Sequence, residues 1–130
     1  MQILNVDDDS DDREFFSDAI QVVDPEISCV LFENGEDLLS YLQEIKTLPD
    51  YIFIDINMPM MNGYECAEEI TSNYLAGETQ IVMYSTAFNP IDREKFEKQG
   101  FKYVVKPNTL GALVQSIKGV MSKGVISYAI

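Results

Sequence analysis

The middle of the chain carries the stretch that decides the fold, residues 51–63, which run Tyr51-Ile52-Phe53-Ile54-Asp55-Ile56-Asn57-Met58-Pro59-Met60-Met61-Asn62-Gly63. The first four residues are apolar without alternation, as expected of a strand buried on both faces of a parallel sheet. Asp55 follows this strand directly, where a carboxylate is costly unless it is paired or bound to a metal. Residues 58–63 predict a loop. The stretch therefore predicts a parallel sheet with a carboxylate at its edge.

Four other short apolar runs flank this strand, and each of the five runs is followed by apolar residues at helical spacing. The predicted strands comprise residues 3–6, 28–32, 51–54, 80–84 and 101–105. Asp9 or Ser10, Asn89 before Pro90, and Thr109 are typical helix-capping residues. Alternating strands and helices predict an α/β domain, a doubly wound (βα)5 arrangement with a parallel five-stranded sheet. At 130 residues, with no linker or repeat, we expect one domain covering residues 1–130.

The composition excludes several classes of function. Nine Lys and Arg against 22 Asp and Glu give a net charge of −13, so we expect no nucleic-acid partner and no membrane surface. The absence of histidine excludes Ser-His-Asp and Cys-His nucleophile systems and His-ligated zinc. The two cysteines form no CxxC pair and no apolar run could span a membrane, and we expect no signal peptide, because a strand pattern begins at Gln2 with no basic stretch before it. We therefore expect a cytoplasmic protein.

Chemically active side chains follow four of the five predicted strands. Asp7 and Asp8 follow the first strand, Asp55 the third, Thr86 the fourth and Lys106 the fifth. In open parallel sheets, ligands bind beyond the carboxyl ends of the strands. We therefore expect these side chains to meet at one edge of the sheet.

The carboxylates of Asp7, Asp8 and Asp55 favour a divalent cation. Two unit charges about 4 Å apart repel by about 1 kcal/mol in water and about 4 kcal/mol at an effective dielectric constant of about 20. A hard cation with oxygen ligands relieves this repulsion. Mg²⁺ is the leading candidate, because it keeps waters and leaves a position for a phosphate oxygen. The alternative role for Asp7 is that of a helix N-terminal acid favoured by the helix dipole.

The remaining residues suit phosphoryl transfer. A carboxylate such as that of Asp55 can attack phosphorus and form an acyl phosphate. Thr86 and the backbone N–H of Ala87 can bind the transferred phosphoryl oxygens, and Lys106 supplies a compensating positive charge. Catalysis of phosphoryl transfer consists mostly of positioning and charge neutralisation, and this set of residues supplies both.

With these motifs the sequence resembles a response-regulator receiver domain, the phospho-acceptor module of two-component signalling, of the CheY-like, single-domain type. The resemblance covers essentially the whole chain. It is carried by Asp7-Asp8, residues 55–63, Ser85-Thr86-Ala87 and Val105-Lys106-Pro107. It implies a flavodoxin-like three-layer sandwich whose sheet has the strand order 2-1-3-4-5.

The resemblance also implies roles for the acidic residues and their neighbour. Asp55 resembles the acceptor that takes a phosphoryl group from a kinase phosphohistidine. Asp8, Asp55 and the main-chain carbonyl of Asn57 resemble the ligands of Mg²⁺, with Asp7 acting through water. Asn57 is also expected among the residues that bind the phosphoryl group, beside Ala87.

Roles for the remaining residues follow from the same resemblance. Thr86 resembles the switch hydroxyl that moves onto the phosphoryl group, and Tyr103 resembles the aromatic switch residue that turns inward with it. The alternative for Tyr103 is a strand tyrosine packed against the adjacent helix. Lys106 resembles the lysine that bridges to the acceptor, and we expect its bond to Pro107 to be cis, a form largely confined to proline. Phe88 is hypothesised to shield the phosphoryl group from water and slow its hydrolysis.

The function that the resemblance implies is phosphorelay signalling between proteins. The domain would accept a phosphoryl group from a histidine kinase or a histidine phosphotransfer protein, and would catalyse only its own phosphorylation and dephosphorylation. The signal would leave through the face made by the fourth helix, the fifth strand and the fifth helix, towards an unknown downstream protein. Residues 93–123 carry seven basic and two acidic side chains, so we expect an acidic or apolar partner surface there.

Three alternatives belong to other classes. A phosphatase of the haloacid-dehalogenase type also forms an aspartyl phosphate, but it needs an acid two residues after the nucleophile, where this chain has Asn57. A flavodoxin-like electron carrier needs a Ser/Thr/Gly-rich phosphate loop after the first strand, where this chain has Asp7-Asp8-Asp9. The third alternative is a receiver-shaped interaction module that works without phosphorylation.

Overall fold

The computed structural model describes residues 1–73 and 78–122, and the backbone of residues 127–128. Strands and helices alternate along the chain, as predicted. The strands are β1 (Gln2–Val6), β2 (Ser28–Phe32), β3 (Tyr51–Asp55), β4 (Gln80–Ser85), β5 (Lys102–Val105) and β6 (Ser127–Tyr128). The helices are α1 (Ser10–Val23), α2 (Gly35–Glu44), α3 (Gly63–Asn73), α4 (Pro90–Gln99) and α5 (Leu110–Met121).

The strands form one parallel sheet in the order β2-β1-β3-β4-β5-β6. The predicted five parallel strands in the order 2-1-3-4-5 are confirmed, and the structure adds a short sixth strand beside β5. This strand pairs Ser127 with Tyr103 and Tyr128 with Val104. Two residues are too few to leave a periodic pattern in the sequence, so the strand is defined only by its pairing with the β5 edge.

The sheet separates two apolar cores, one on each face. In β3, Ile52 and Ile54 belong to the core beneath α2, α3 and α4, whereas Phe53 belongs to the core beneath α1 and α5. All three side chains are fully buried. Phe53 packs against Phe16 of α1 and Tyr84 of β4, with ring centroids 4.9 Å and 6.2 Å away. The unbroken apolar run of β3 is thus explained by burial on both faces, and the three-layer sandwich is confirmed.

Side-chain caps begin three helices where the sequence predicts them. Asp9 caps α1, Asn89 caps α4 and Thr109 caps α5, each accepting a hydrogen bond from a backbone N–H of the first turn. Such caps stabilise a helix by about 1 kcal/mol each. Because Asp9 is the cap, Asp7 and Asp8 stay outside α1, at the end of β1. The position of these two carboxylates is therefore set by the sheet.

The helices are short, between 10 and 14 residues. Within the described ranges, none combines the length and the apolar character that a bilayer span requires.

Candidate functional site

Three carboxylates meet at the carboxyl edge of the sheet. Asp7 follows β1, Asp8 comes next and Asp55 ends β3, and one oxygen from each lies within 4.8 Å of the other two. Asp7 and Asp55 are buried, with exposed fractions of 0% and 5%, whereas Asp8 is exposed. The pairing of Val6 with Ile54 aligns the ends of the two strands and so brings these residues together.

Burial disfavours the ionised form of the two inner carboxylates. It raises the pKa of Asp55 from 3.8 to about 6, against an opposing effect of the Lys106 charge and with a further rise from the Asp7 charge. Burial also raises the pKa of Asp7, although hydrogen bonds from Lys106 and from the backbone N–H of Asp9 lower it. Oxygen donors that are buried and crowded suit a hard cation. The residues present therefore fit Mg²⁺, with Asp7, Asp8 and Asp55 able to hold it.

Lys106 places its ammonium group among the carboxylates. Its Nζ donates to Asp7 Oδ2 at 2.8 Å and to Asp12 Oδ2 at 3.0 Å, and lies 3.5 Å from Asp55 Oδ1. The ammonium also lies 5.1 Å from the centroid of the Tyr84 ring. Burial opposes the charged ammonium, but the hydrogen bonds to Asp7 and Asp12 and the charges of Asp7 and Asp55 together raise the pKa of Lys106. The lysine is therefore a permanent cation between β1, α1 and β3.

Asp12 is a partner of Lys106 that the sequence analysis missed. It stands in the first turn of α1, and its ion pair joins residues 94 positions apart. The available signal was its spacing, five residues after Asp7 on the turn that follows the acidic loop. An acid in the first helical turn after the predicted site is close enough in sequence to be a candidate partner for Lys106.

The prediction of a cis bond between Lys106 and Pro107 is wrong, because the structure contains no cis peptide bond in its described residues. The trans form of an X–Pro bond is favoured by about 0.5–1 kcal/mol unless the surroundings select the other isomer. Here the backbone N–H of Lys106 donates to Ser85 O at 2.7 Å, and the lysine side chain reaches the carboxylates from a trans bond.

The loop after β3 is held close to Asp55. The backbone N–H of Gly63 donates to Ile56 O at 2.9 Å, and a Cβ atom at residue 63 would lie 2.5 Å from Asp55 O. Only glycine allows this approach, because real Cβ contacts are not that short. Asn62 and Glu65 exchange hydrogen bonds between side chain and backbone at 3.0 Å and 3.1 Å, which fixes the start of α3.

The remaining predicted phosphoryl-binding residues lie on the loops that follow β4 and β3. Thr86 and Ala87 follow β4 and are exposed, whereas Ser85 before them is buried. Asn57 is exposed in the β3–α3 loop, and its backbone N–H hydrogen-bonds to the Asp55 carboxylate. Their roles toward metal and phosphoryl group stay predictions.

Tyr103 packs inward against α4. Its exposed fraction is 5%, and its ring lies 5.4 Å from that of Phe88 and 6.3 Å from that of Phe96. Phe88 also contacts Phe96, at 5.6 Å, and the Arg93 guanidinium lies 5.7 Å from the Tyr103 ring. This is the arrangement expected of a strand tyrosine packed on the adjacent helix. Phe88 belongs to the same aromatic group, so the hypothesis that it shields the acceptor stays a prediction.

A parallel sheet of this order, with an acidic cluster and a partly buried lysine at its carboxyl edge, defines a class of flavodoxin-like α/β domains. The chain belongs to the response regulator receiver domain family, whose model matches residues 3–118. Membership of this family argues against the two alternatives of a haloacid-dehalogenase phosphatase and a flavodoxin-like electron carrier.

Known relatives agree with the family. Sensory transduction protein LytT of Oceanobacillus iheyensis is 33% identical over 107 residues, which cover 82% of this chain and 42% of that protein. The chemotaxis response regulator CheY4 of Vibrio cholerae is similar in structure, with a TM-score of 0.77 and 26% identity over 92% of this chain and 98% of that one. The phosphorylated cyanobacterial phytochrome response regulator RcpA gives a TM-score of 0.78 and 26% identity, covering 92% and 89%. The chain spans less than half the length of the curated relatives it matches.

Proposed function

We propose that the domain is a Mg²⁺-dependent phospho-acceptor, which takes a phosphoryl group from a histidine kinase or a histidine phosphotransfer protein onto Asp55. The observation that carries the proposal is the position of Lys106, whose Nζ lies 2.8 Å from Asp7 and 3.5 Å from Asp55. A partly buried cation beside the acceptor carboxylate supplies the charge neutralisation on which phosphoryl transfer depends. One structural relative is itself a phosphorylated response regulator.

Asp55 acts as the nucleophile in this scheme. One carboxylate oxygen forms a bond to phosphorus as the bond between phosphorus and the donor imidazole nitrogen breaks, and the electron pair of the broken bond returns to that nitrogen. Only the ionised carboxylate can attack, and a pKa of about 6 leaves Asp55 ionised at neutral pH. Lys106, Thr86 and the backbone N–H of Ala87 bind the transferred oxygens.

The metal site completes the charge balance. When bound, Mg²⁺ neutralises phosphoryl oxygens without any proton transfer. Asp7, Asp8, Asp55 and the backbone carbonyl of Asn57 would hold it. Two of these carboxylates are buried and crowded, so a cation relieves their repulsion even before any phosphoryl group arrives.

Thr86 and Tyr103 would convert phosphorylation into a change of surface. Thr86 is exposed at the end of β4, next to the acceptor strand, and its hydroxyl would move onto the phosphoryl group. Tyr103 already packs against Phe88 and Phe96 in this structure. Because the Tyr103 ring is already buried, we expect phosphorylation to repack these three rings rather than to move Tyr103 from solvent into the protein.

We propose that residues 1–130 act as one receiver domain that signals to a separate protein through the face of α4, β5 and α5. On α4, Ile91 is 77% exposed, and the exposed side chains of Arg93, Lys95 and Lys98 lie on the same helix. An acidic or apolar protein surface would complement this face. The whole chain has a net charge of −13, so we expect neither nucleic acid nor an anionic membrane as its partner. The two cysteines are free, which fits action in the cytoplasm.

Intact-protein mass after incubation with Mg²⁺ and acetyl phosphate tests the proposal. The expected result is one added phosphoryl group, absent from Asp55→Asn and from a sample with chelator. Asp18→Asn is the matched control, because it makes the same chemical change on the exposed surface of α1 and should be phosphorylated normally. A folded protein that binds Mg²⁺ but gains no phosphoryl group would instead support the interaction module that works without phosphorylation.

A further inference from the structure

Besides Asp7, the Lys106 ammonium binds Asp12, which lies outside the cluster of Asp7, Asp8 and Asp55. An ammonium group has three N–H donors. One donates to Asp7 at 2.8 Å and a second to Asp12 at 3.0 Å, while Asp55 lies farther away, at 3.5 Å. The shortest contacts of the lysine therefore go to β1 and α1 rather than to the acceptor carboxylate.

We propose that Asp12 is a positioning residue that competes with the phosphoryl group for Lys106, and so lowers the stability of the phosphorylated state. This inference rests on the proposed function of Asp55 as phospho-acceptor. In the unmodified protein Asp12 draws the ammonium towards α1. When Asp55 carries a phosphoryl group, the lysine has to give up its bond to Asp12 to reach a phosphoryl oxygen.

The burial of the two partners explains why Asp12 is the contact that yields. The Asp7 side chain is 1% exposed and that of Asp12 is 42% exposed. If the lysine left Asp7, a buried carboxylate would lose its partner, which is costly. Asp12 can instead turn to water, so its contact to Lys106 is the one that a phosphoryl group displaces.

Charge acts in the same direction as the contact. The Asp12 carboxylate adds a negative charge beside a site that must accept an anion, so it opposes a bound phosphoryl group as well as competing for the lysine. Asp11, in the same first turn of α1, carries the same charge and is exposed, and the structure pairs its backbone N–H with Asp9. The two neighbours separate a general charge effect from one that acts through Lys106.

Affinity for beryllium trifluoride, a mimic of the phosphoryl group, measures the competition in the presence of Mg²⁺. By calorimetric titration we expect Asp12→Asn to bind the mimic about fivefold more tightly than the wild type, since a half-exposed ion pair is lost. Asp11→Asn should stay within about twofold. In a Lys106→Met background, Asp12→Asn should have no more effect than Asp11→Asn, because the shared lysine is gone.

Three results would overturn the inference: weaker binding by Asp12→Asn, equal effects of the two substitutions in the wild-type background, or the full effect persisting without the lysine. The ¹⁵N signal of the Lys106 ammonium provides a readout that needs no mimic. It should shift in Asp12→Asn and not in Asp11→Asn. If the signal shifts in Asp12→Asn but the wild-type protein binds no mimic, the proposed function is rejected, and the competing role with it. An unchanged signal in Asp12→Asn would reject the ion pair and overturn the inference, while leaving the proposed function of Asp55 standing.

Discussion

Replacing Asp55 by asparagine should stabilise the protein, because the native carboxylate is ionised in a place that disfavours charge. Burial raises the pKa of Asp55 from 3.8 to about 6, a difference of roughly two units. At about 1.4 kcal/mol per unit, this difference corresponds to about 3 kcal/mol of unfolding free energy. Asparagine has nearly the same shape and cannot ionise. Asp55→Asn should therefore be up to about 3 kcal/mol more stable at pH 7.5, in the absence of divalent cations.

The sign of the effect fixes its pH dependence. The folded-state pKa is raised, so below about pH 4 Asp55 is protonated in both states and its ionisation costs no stability. As pH rises through about 6, the folded protein loses its bound proton and, with it, the corresponding stability. The advantage of Asp55→Asn should thus grow from near zero at pH 4 to its full value above pH 7. For a chain of this length, about 3 kcal/mol corresponds to roughly 10 °C in Tm.

Urea unfolding followed by far-UV circular dichroism, in buffers with chelator between pH 4 and pH 8, measures this difference. Asp18→Asn, which removes an exposed charge of the same kind from α1, should stay within about 0.5 kcal/mol of the wild type throughout. An advantage of Asp55→Asn that does not change with pH would refute the assignment to ionisation. A variant less stable than the wild type at pH 7.5 would refute burial as the dominant influence on this carboxylate.

Three further predictions concern the metal, the loop after β3 and the partner face. Mg²⁺ at about 100 times its dissociation constant should raise the unfolding free energy of the wild type by about 2.7 kcal/mol and that of Asp55→Asn by less. Equal increases in the two proteins would show that the ion binds away from Asp55. Gly63→Ala should lower the unfolding free energy by about 1–3 kcal/mol, because the new Cβ would lie 2.5 Å from Asp55 O. The control Gly111→Ala has open space around the new Cβ, so its unfolding free energy should rise by up to about 1 kcal/mol. Charge reversal at both Lys95 and Lys98 should weaken binding to the downstream protein in a pull-down and leave the phosphoryl adduct from acetyl phosphate unchanged; loss of the adduct would contradict the separation of the two surfaces.

Much of the fold could be predicted because its signals are local. The unbroken apolar run of β3 reports burial on both faces, which depends only on consecutive residues. Helix caps such as Asn89 and Thr109 act within one turn. The carboxylate cluster could be predicted as well, because residues that follow parallel strands share one edge of the sheet. By contrast, the strand β6 depends on an edge that the rest of the fold creates, and two residues carry no pattern of their own.

The finer geometry of the site depends on choices between partners that the sequence leaves open. A lysine after β5 can reach any acid at the same edge, where the carboxylates of Asp7, Asp8, Asp12 and Asp55 all lie. The choice is made by burial, because leaving Asp7 unpaired costs more than leaving a solvated group unpaired. The second bond then goes to whichever acid the first turn of α1 brings near, which is Asp12. Strand order alone therefore does not determine how much of the lysine's charge is available to Asp55.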